Sequence, residues 1–311
     1  KLIKLMQHKI IFMGTPQFSV PSLEVLEKSS YKISCVYTQP PKESNRGYKL
    51  NSSPVQKIAE NFNLVVRSPS SLKSDEELNY FKALNPDIVV IVAYGQLIPK
   101  NFLNIPKHGF INIHASLLPK WRGAAPIERA IINLDKETGV SIMKIEEKLD
   151  FGPVMKKVKI DITPHDTSGK ISEKLSKIGA ENIVGALNDI LTNSAKFIEQ
   201  QHDLATYAKK IEKNESKIDW GENAENILGK INGYNPSPGA WFVHNKIRYK
   251  IWRASIFEKK GLAGTIQDNN FMIACNDKSI KILEIQREGK KKLLLRDFLP
   301  GIKFKVGDSV K

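Results

Sequence analysis

The chain has 311 residues, 41% of them hydrophobic, and a formal net charge of +15 at pH 7. This length and composition allow a sizeable core and predict a globular protein of two domains. No apolar run approaches the roughly 20 residues of a membrane span, and Lys1 to Ile10 lacks the sustained apolar stretch of a signal peptide. We therefore expect a cytoplasmic protein without a membrane partner.

The positive charge indicates a polyanionic partner, because this is the usual reason for such an excess of Lys and Arg. Residues 1–207 hold 27 Lys and Arg against 21 Asp and Glu, and residues 208–311 hold 21 against 12. The smaller C-terminal part is thus the more basic. A Lys-rich genomic composition could give the same total.

Apolar, β-rich runs alternate with helical patterns along the first part of the chain. The predicted strands are Lys9 to Met13, Ile33 to Tyr37, Leu64 to Val66, Asp87 to Ala93 and Phe110 to His114. Helix starts are predicted at Pro16, at Pro54 and at the capping box Ser74 to Glu77. The alternation predicts an α/β fold with a doubly wound, Rossmann-like, mostly parallel sheet. Because Gly14-Thr15-Pro16 is not a GxGxxG turn, we expect no nicotinamide cofactor.

A further helix is predicted from about Asp166 or Thr167 to Leu191. We divide the chain into an α/β catalytic domain (1–191), a linker (192–207) and a basic β-barrel domain (208–311). In the last of these, a helix at Ala224 to Ile231 precedes short β-prone runs separated by Gly and Asx turns, which favours a small OB-like barrel. The runs are Ala240 to Val243, Lys246 to Ala254, Gly264 to Gln267, Phe271 to Ala274 and Ile280 to Ile285.

The cysteines and histidines do not suggest a metal site. Cys35 and Cys275 lie far apart in apolar runs and are interpreted as buried thiols. The histidines outside the strand at Phe110 form no close HxxxH or HExxH pattern, so no metal is assigned.

The strand Phe110 to His114 places Asn112 and His114 on one face near its C-terminal end, where open α/β sheets bind ligands. An amide donor and an imidazole suit a reaction in which negative charge grows on a carbonyl oxygen, such as acyl or formyl transfer. Asp150 follows the predicted strand Val140 to Ile145 and, if it meets His114, would orient the ring and favour the imidazolium. Taken singly, each residue has a structural alternative, since an isolated Asn-x-His is more often structural and an Asp before Gly-Pro is mostly turn chemistry.

In combination, these residues resemble the signature of the folate-dependent formyltransferases. The resemblance consists of Asn112-x-His114, the run Ser116-Leu117-Leu118-Pro119-x-x-Arg122-Gly123, and Asp150-x-Gly152. Within that group, the chain resembles the methionyl-tRNA formyltransferase family over essentially its whole length. The further matching segments are Ile11 to Pro16, Val92 to Gly95, Trp121 to Pro126 and Ile218 to Trp220.

The resemblance implies a function and its residues. It implies a bacterial-type enzyme that transfers a formyl group from 10-formyltetrahydrofolate to the α-amino group of initiator methionyl-tRNA, with Asn112, His114 and Asp150 as the catalytic trio. Folate contacts are implied at Ser116, Leu117, Leu118 and Pro119. The loop Gln39 to Leu50 would reach the tRNA acceptor end with Lys42, Arg46 and Lys49, although without the resemblance the favoured interpretation of this loop is a solvated surface segment. We expect a monomer.

The chain departs from the family pattern at three positions. Lys148 and Phe151 stand where Gly and Thr are common, and Pro41 stands where an acidic residue is frequent. Two other functions remain open: formyl transfer to a small amine, such as a glycinamide ribonucleotide or an amino sugar, and RNA binding without catalysis. The second would use aromatic residues such as Trp220, Tyr234, Trp241 and Trp252, which in a small barrel are more often core residues.

Overall fold

The computed structural model describes residues 7–44 and 49–311, which form two compact units. Of the described residues, the first unit draws on residues 7–44, 49–123, 139–159 and 172–207, and the second on residues 124–138, 160–171 and 208–311. The chain therefore enters the second unit twice before it stays there. The linear division at 191 and 207 drawn from the sequence stays a prediction.

The elements follow one another in a regular α/β order up to α6. The strands in this part are β1 (Lys9–Gly14), β2 (Lys32–Tyr37), β3 (Lys42–Ser44), β4 (Lys49–Asn51), β5 (Val66–Arg67), β6 (Ile88–Val92), β7 (Phe110–His114), β8 (Arg122–Gly123), β9 (Glu137–Lys144) and β10 (Val154–Asp161). The helices are α1 (Val20–Glu27), α2 (Pro54–Asn61), α3 (Asp75–Leu84), α4 (Lys100–Leu103), α5 (Pro126–Ile132) and α6 (Ser168–Leu191). Downstream lie β11 (Tyr207–Ala208), α7 (Ala224–Gly233), β12 (Ala240–His244), β13 (Ile247–Phe257), β14 (Ile273–Ala274), β15 (Ser279–Arg287), β16 (Lys292–Leu294) and α8 (Leu295–Phe298).

A seven-stranded sheet in the order β10-β9-β7-β6-β1-β2-β5 forms the centre of the first unit. β1 pairs in parallel with β2 and β6, and β6 pairs in parallel with β7, whereas β9 is antiparallel to β7. Every residue of β6 and β7 is buried, as expected for strands covered on both faces. The predicted doubly wound, mostly parallel sheet is confirmed. Its topology places the C-terminal ends of β1, β6 and β7 along one edge.

Two of the predicted helix starts behave differently. Pro54 is the first residue of α2, where Ser53 caps the helix by accepting a hydrogen bond from the Gln56 backbone N–H at 3.0 Å. Pro16 does not begin an α-helix. It has an extended backbone (φ −80°, ψ 174°) before a short 3₁₀ turn, and α1 starts only at Val20.

The predicted capping box at Ser74 forms only in part, because Glu77 has a second role. Ser74 Oγ accepts from the Glu77 backbone N–H at 3.2 Å. The Glu77 carboxylate is buried, and it accepts two hydrogen bonds from Arg67, at 2.8 and 2.6 Å, and one from the Tyr37 hydroxyl at 2.7 Å. The burial and this carboxylate raise the pKa of Tyr37, and the hydrogen bonds to Glu77 raise the pKa of Arg67. The Arg67–Glu77 ion pair therefore links β5 to α3.

Replacing Arg67 by methionine should destabilise the first unit by about 3 kcal/mol, because it leaves the Glu77 carboxylate buried without its cation. We place the loss at the lower end of the range for broken buried pairs, since 29% of the Arg67 side chain is exposed. Urea denaturation would measure it. The double variant Arg67→Met, Glu77→Leu should recover most of the loss; equal instability in both variants would contradict the role of the pair.

The second unit contains an antiparallel sheet in the order β12-β13-β15-β14, with β16 paired to β15. The predicted C-terminal β domain is thereby confirmed as an antiparallel β structure. One predicted strand is wrong: Gly264 to Gln267 forms only isolated bridges, Thr265 to Ser309 and Ile266 to Ile273. The segment starts at a glycine with φ +76°, outside strand geometry. β16 was not predicted.

The two cysteines are buried as predicted, and the four aromatic residues considered for RNA binding differ in burial. Both thiols are buried, which raises the pKa of each to about 12. Trp220 and Tyr234 belong to the core of the second unit, whereas Trp241 and Trp252 stay half-buried. Within residues 7–44 and 49–311, no helix combines the length and the apolar character needed to cross a membrane.

Candidate active site

The end of β7 carries the two polar side chains that the sequence singled out. Asn112 and His114 are buried, with 9% and 6% of their surface exposed, and lie opposite Met143 and Ser141 of β9. Both follow the period-2 alternation onto one face of the sheet. Among the described residues, none hydrogen-bonds the Asn112 side chain. Its amide is thus available to a ligand.

The hydrogen bonding of His114 defines its tautomer. Nε2 lies 2.9 Å from the backbone carbonyl oxygen of Trp121. A carbonyl oxygen only accepts, so Nε2 carries a proton and donates it. In the neutral ring Nδ1 is then an acceptor, and it becomes a donor only in the imidazolium. Trp121 has φ 59°, a left-handed conformation that is uncommon for a bulky residue and that directs its carbonyl to the ring.

Asp150 is brought to His114 by a tight turn after β9. Its Oδ2 lies 3.7 Å from His114 Nδ1, within ion-pair range but beyond a hydrogen bond, and accepts the Gly123 backbone N–H at 2.8 Å. The φ of Asp150 is 49°, a region that Asp tolerates better than most residues. Gly152 is required nearby, because a Cβ at this position would lie 2.2 Å from the Lys144 carbonyl oxygen. The predicted meeting of His114 and Asp150 occurs.

The turn around Asp150 is held by residues that sequence reasoning did not identify. The Gln200 amide donates to the carbonyl oxygens of Asp150 and Gly152, at 2.9 and 2.7 Å. Its Oε1 accepts from the buried Arg122 guanidinium at 2.7 Å, and Arg122 also donates to His202 Nδ1 at 2.9 Å. Arg122 was quoted only as part of a motif, and Gln200 lies in the predicted linker. No local pattern marks them.

Two of the departures from the family pattern contact each other. The Phe151 ring stacks on the His202 ring, with centroids 3.7 Å apart and planes at 8°. Lys148 Nζ and the Arg122 guanidinium lie 4.8 and 5.1 Å from the centre of the Phe151 ring. Phe151, which follows Asp150 in the chain, thus packs against His202 and Arg122.

The loop after β7 is anchored from below. Ser116 Oγ donates to the Lys120 carbonyl at 2.6 Å, and Ser141 Oγ links the Ser116 carbonyl (2.7 Å) to the Leu118 N–H (3.1 Å). Ser116 and Leu118 are fully buried, whereas Leu117 and Pro119 are half-buried. The buried residues Ser116 and Leu118 thus stabilise the conformation of the loop. The assignment of all four as folate contacts stays a prediction.

In the described part of the predicted tRNA loop, β3 pairs with β4 in antiparallel fashion. Lys42 is exposed at its start and Lys49 belongs to β4. Arg46 lies outside the described residues. Over the part of the chain that the structure describes, no three His, Cys, Asp or Glu side chains group as metal ligands would.

Comparison with known proteins places this fold and site in a class. The formyl transferase family model matches residues 8–187, and the model of the formyl transferase C-terminal domain matches residues 210–303. The chain therefore carries both domains of a formyl transferase. A protein from Helicobacter canadensis solved with folinic acid and dTDP-3-aminofucose, an N-formyltransferase, shares the fold with a TM-score of 0.66 at 19% identity, over 89% of this chain and 99% of its own.

Relatives define the family more narrowly. The methionyl-tRNA formyltransferase of Pelagibacter ubique is 52% identical over 307 residues, 98% of this chain and 99% of its own length. That of Roseobacter denitrificans is 43% identical over 293 residues, 94% of this chain and 95% of its own. The chain belongs to the methionyl-tRNA formyltransferase family of enzymes.

Proposed function

We propose that this enzyme transfers the formyl group of 10-formyltetrahydrofolate to the α-amino group of methionine on initiator methionyl-tRNA. The observation that carries the proposal is the approach of Asp150 to His114 beside Asn112, in a chain that matches the family over nearly its full length. The expectations of a bacterial cytoplasmic location and a monomer belong to this proposal.

The attacking amine must be neutral. With an α-amino pKa near 8, roughly a tenth of it is neutral at pH 7. As the amine adds to the formyl carbon, negative charge grows on the formyl oxygen. Asn112 supplies a side-chain N–H to that oxygen, because no described residue occupies the amide. A donor fixed in a buried strand stabilises developing charge without reorganising.

His114 adds a second donor only when it is an imidazolium. Its Nε2 proton is held by the Trp121 carbonyl, so only a protonated Nδ1 can donate towards the substrate. The Asp150 carboxylate, 3.7 Å from Nδ1, stabilises this cation by Coulomb attraction without capturing its proton in a short hydrogen bond. The same Nδ1 proton can pass to the folate nitrogen as its bond to the formyl carbon breaks, and the neutral ring then takes up the proton that the attacking amine loses. Asn112, His114 and Asp150 thus divide charge stabilisation and proton transfer among them.

The buried Ser116 and Leu118 hold the loop in shape, so we propose that the folate contacts Leu117 and Pro119 and the backbone of this loop. An amide N–H and an imidazolium can stabilise negative charge on a carbonyl oxygen, and formyl transfer from a folate develops such a charge.

The second unit supplies a surface for tRNA on the outward face of β12 and β13. The Arg248 guanidinium lies 4.1 Å and Lys217 Nζ 5.9 Å from the centre of the Trp241 ring. Lys250, on the same strand as Arg248, is half-buried; its Nζ lies 5.6 Å from the Trp252 ring and donates to the Pro238 carbonyl at 2.7 Å. Arg248 and Lys217 are exposed. Exposed cations bind phosphates, and half-buried aromatic rings beside them can stack on bases.

Replacing Arg248 by glutamine should weaken tRNA binding and lower the slope of log affinity against log salt by about one, with kcat unchanged at saturating tRNA. Filter binding across a salt series would measure it. Arg253→Gln is the matched control, because Arg253 is on the same strand and already pairs with Glu284 at 3.5 Å. An unchanged slope for Arg248→Gln would remove this surface from the proposal.

Transfer of radiolabelled formyl from 10-formyltetrahydrofolate, run with initiator methionyl-tRNA, elongator methionyl-tRNA and free small amines, tests the function. We expect label on the initiator alone. Label on a small amine such as an amino sugar would instead support the alternative acceptor, and no label at all would leave an RNA-binding protein.

A further inference from the structure

A cavity of about 530 Å³ opens at the end of the central sheet opposite the candidate active site. Phe110, the first residue of β7, lines it, whereas His114 at the other end of the strand belongs to the site. Strand geometry separates the two by about 13 Å, at roughly 3.3 Å per residue. The remaining walls come from the segment before β7, the end of β9, and the chain at the end of α6 and just beyond it. All of these segments belong to the first unit.

The cavity is electropositive. Lys107 and Lys144 line it, and no Asp or Glu is among the described residues of its walls. Neither lysine has a carboxylate partner within residues 7–44 and 49–311. Lys144 instead holds its Nζ over the Phe197 ring, 4.4 Å from its centre. Cations with no carboxylate partner that share one concave wall favour binding of an anion.

The size of the cavity and its mostly polar walls indicate what else the ligand contains. About 530 Å³ is within the range of small-molecule sites and exceeds what a single inorganic anion needs. Its walls are mostly polar and include Asn104 and Asn193, whereas Leu103, Ile145 and Ile190 contribute a smaller apolar area. Gly109, in the cavity wall just before β7, has φ +76° and no heavy atom of the described residues within 4 Å of where a Cβ would lie. This part of the cavity is therefore open.

From this geometry we propose that the cavity is a second binding site for a phosphorylated small molecule of about mononucleotide size. Lys107 and Lys144 bind the phosphate groups, and the mostly polar walls bind a polar organic part such as a sugar. The formyl transfer machinery uses none of these residues, so the site is separate from the proposed reaction.

His108 provides a local reporter. Burial, followed by the positive charge of Lys107, lowers its pKa. The other charged groups acting on it are Asp87, which raises the pKa, and His8 and Lys144, which lower it. A bound phosphate adds negative charge beside the ring, so the pKa of His108 should rise when the ligand binds. NMR titration of the imidazole would follow this shift.

Calorimetry of the full chain with ADP at about 0.15 M salt tests the proposal, with adenosine as the phosphate-free comparison. We expect a Kd below about 1 mM for ADP, no measurable binding of adenosine, and at least a tenfold weaker ADP affinity for the double variant Lys107→Gln, Lys144→Gln. Lys157→Gln, an exposed lysine of β10, is the matched control and should keep the wild-type affinity. Ala195→Trp, which fills the cavity without changing charge, should also weaken ADP binding.

Absence of ADP binding, equal affinity of the double variant and the Lys157→Gln control, or equal binding of adenosine and ADP would overturn the proposal. The double variant should transfer formyl at the wild-type rate. Failure of this site and failure of the proposed function are therefore distinguishable, because one is measured by ADP binding and the other by formyl transfer.

Discussion

Replacing Asn112 by alanine is expected to lower kcat about 100- to 1000-fold, the usual effect of losing one donor to a developing oxyanion. The side chain is buried at the end of β7, and no described residue hydrogen-bonds it. In the proposed reaction its N–H meets the formyl oxygen only as charge develops there, so the KM values should change little. Steady-state kinetics with saturating tRNA and folate would separate kcat from KM.

Two further variants make this result specific. Asn112→Asp keeps the shape of the side chain but replaces the amide donor with an acceptor, so it should be at least as inactive as Asn112→Ala. Asn188→Ala, an exposed position of α6, controls for the loss of an asparagine amide. Thermal unfolding should give similar Tm values for Asn112→Ala, Asn188→Ala and the wild type, whereas Asn112→Asp should unfold at a lower temperature because it buries a carboxylate. Wild-type kcat in Asn112→Ala would remove Asn112 from the reaction.

The sheet could be predicted because its strands are encoded locally. β7 was predicted with its observed bounds, Phe110–His114, and β1, β2 and β6 to within one residue at each end. Apolar runs without polar interruption identify strands that are buried on both faces. The second unit gave weaker signals, because Gly264 to Gln267 is β-prone in composition yet makes only single bridges. Its pairing depends on distant residues such as Ser309, which local propensity does not contain.

The sequence predicted which side chains meet in the candidate site, but not the residues that support them. Asn112 and His114 follow from alternation along one strand, and Asp150 was placed after a predicted strand that does lie beside β7. The Trp121 carbonyl was not foreseen, since it depends on a left-handed backbone at a tryptophan. The contact of Arg122 with Gln200 joins residues 78 positions apart, and no periodicity relates them. The resemblance to formyltransferases supplied the roles, whereas the geometry supplies the tautomer of His114.

Replacing Asp150 by asparagine is expected to reduce kcat roughly 10²- to 10⁴-fold, the usual contribution of a group that supports proton transfer. Asparagine tolerates the left-handed backbone at φ 49° and can still accept the Gly123 N–H, so the turn should survive. What it loses is the negative charge 3.7 Å from His114 Nδ1. Because Nε2 is held by the Trp121 carbonyl, His114 without that charge loses the stabilisation of its imidazolium, and with it the Nδ1 donor.

The comparison with Asp150→Ala separates this electrostatic role from support of the turn. Alanine removes the charge and also the acceptor for Gly123, and it strains a left-handed residue, so its Tm should fall whereas that of Asp150→Asn should not. Asp203→Asn, exposed in the segment beside Gln200, controls for the change in net charge and should keep the wild-type kcat. If Asp150→Asn retains full kcat while Asp150→Ala loses stability, Asp150 only shapes the turn. If both variants lose kcat and only Asp150→Ala loses stability, the carboxylate charge itself acts on His114. The unchanged Tm of Asp150→Asn would show that the loss of kcat does not come from damage to the turn.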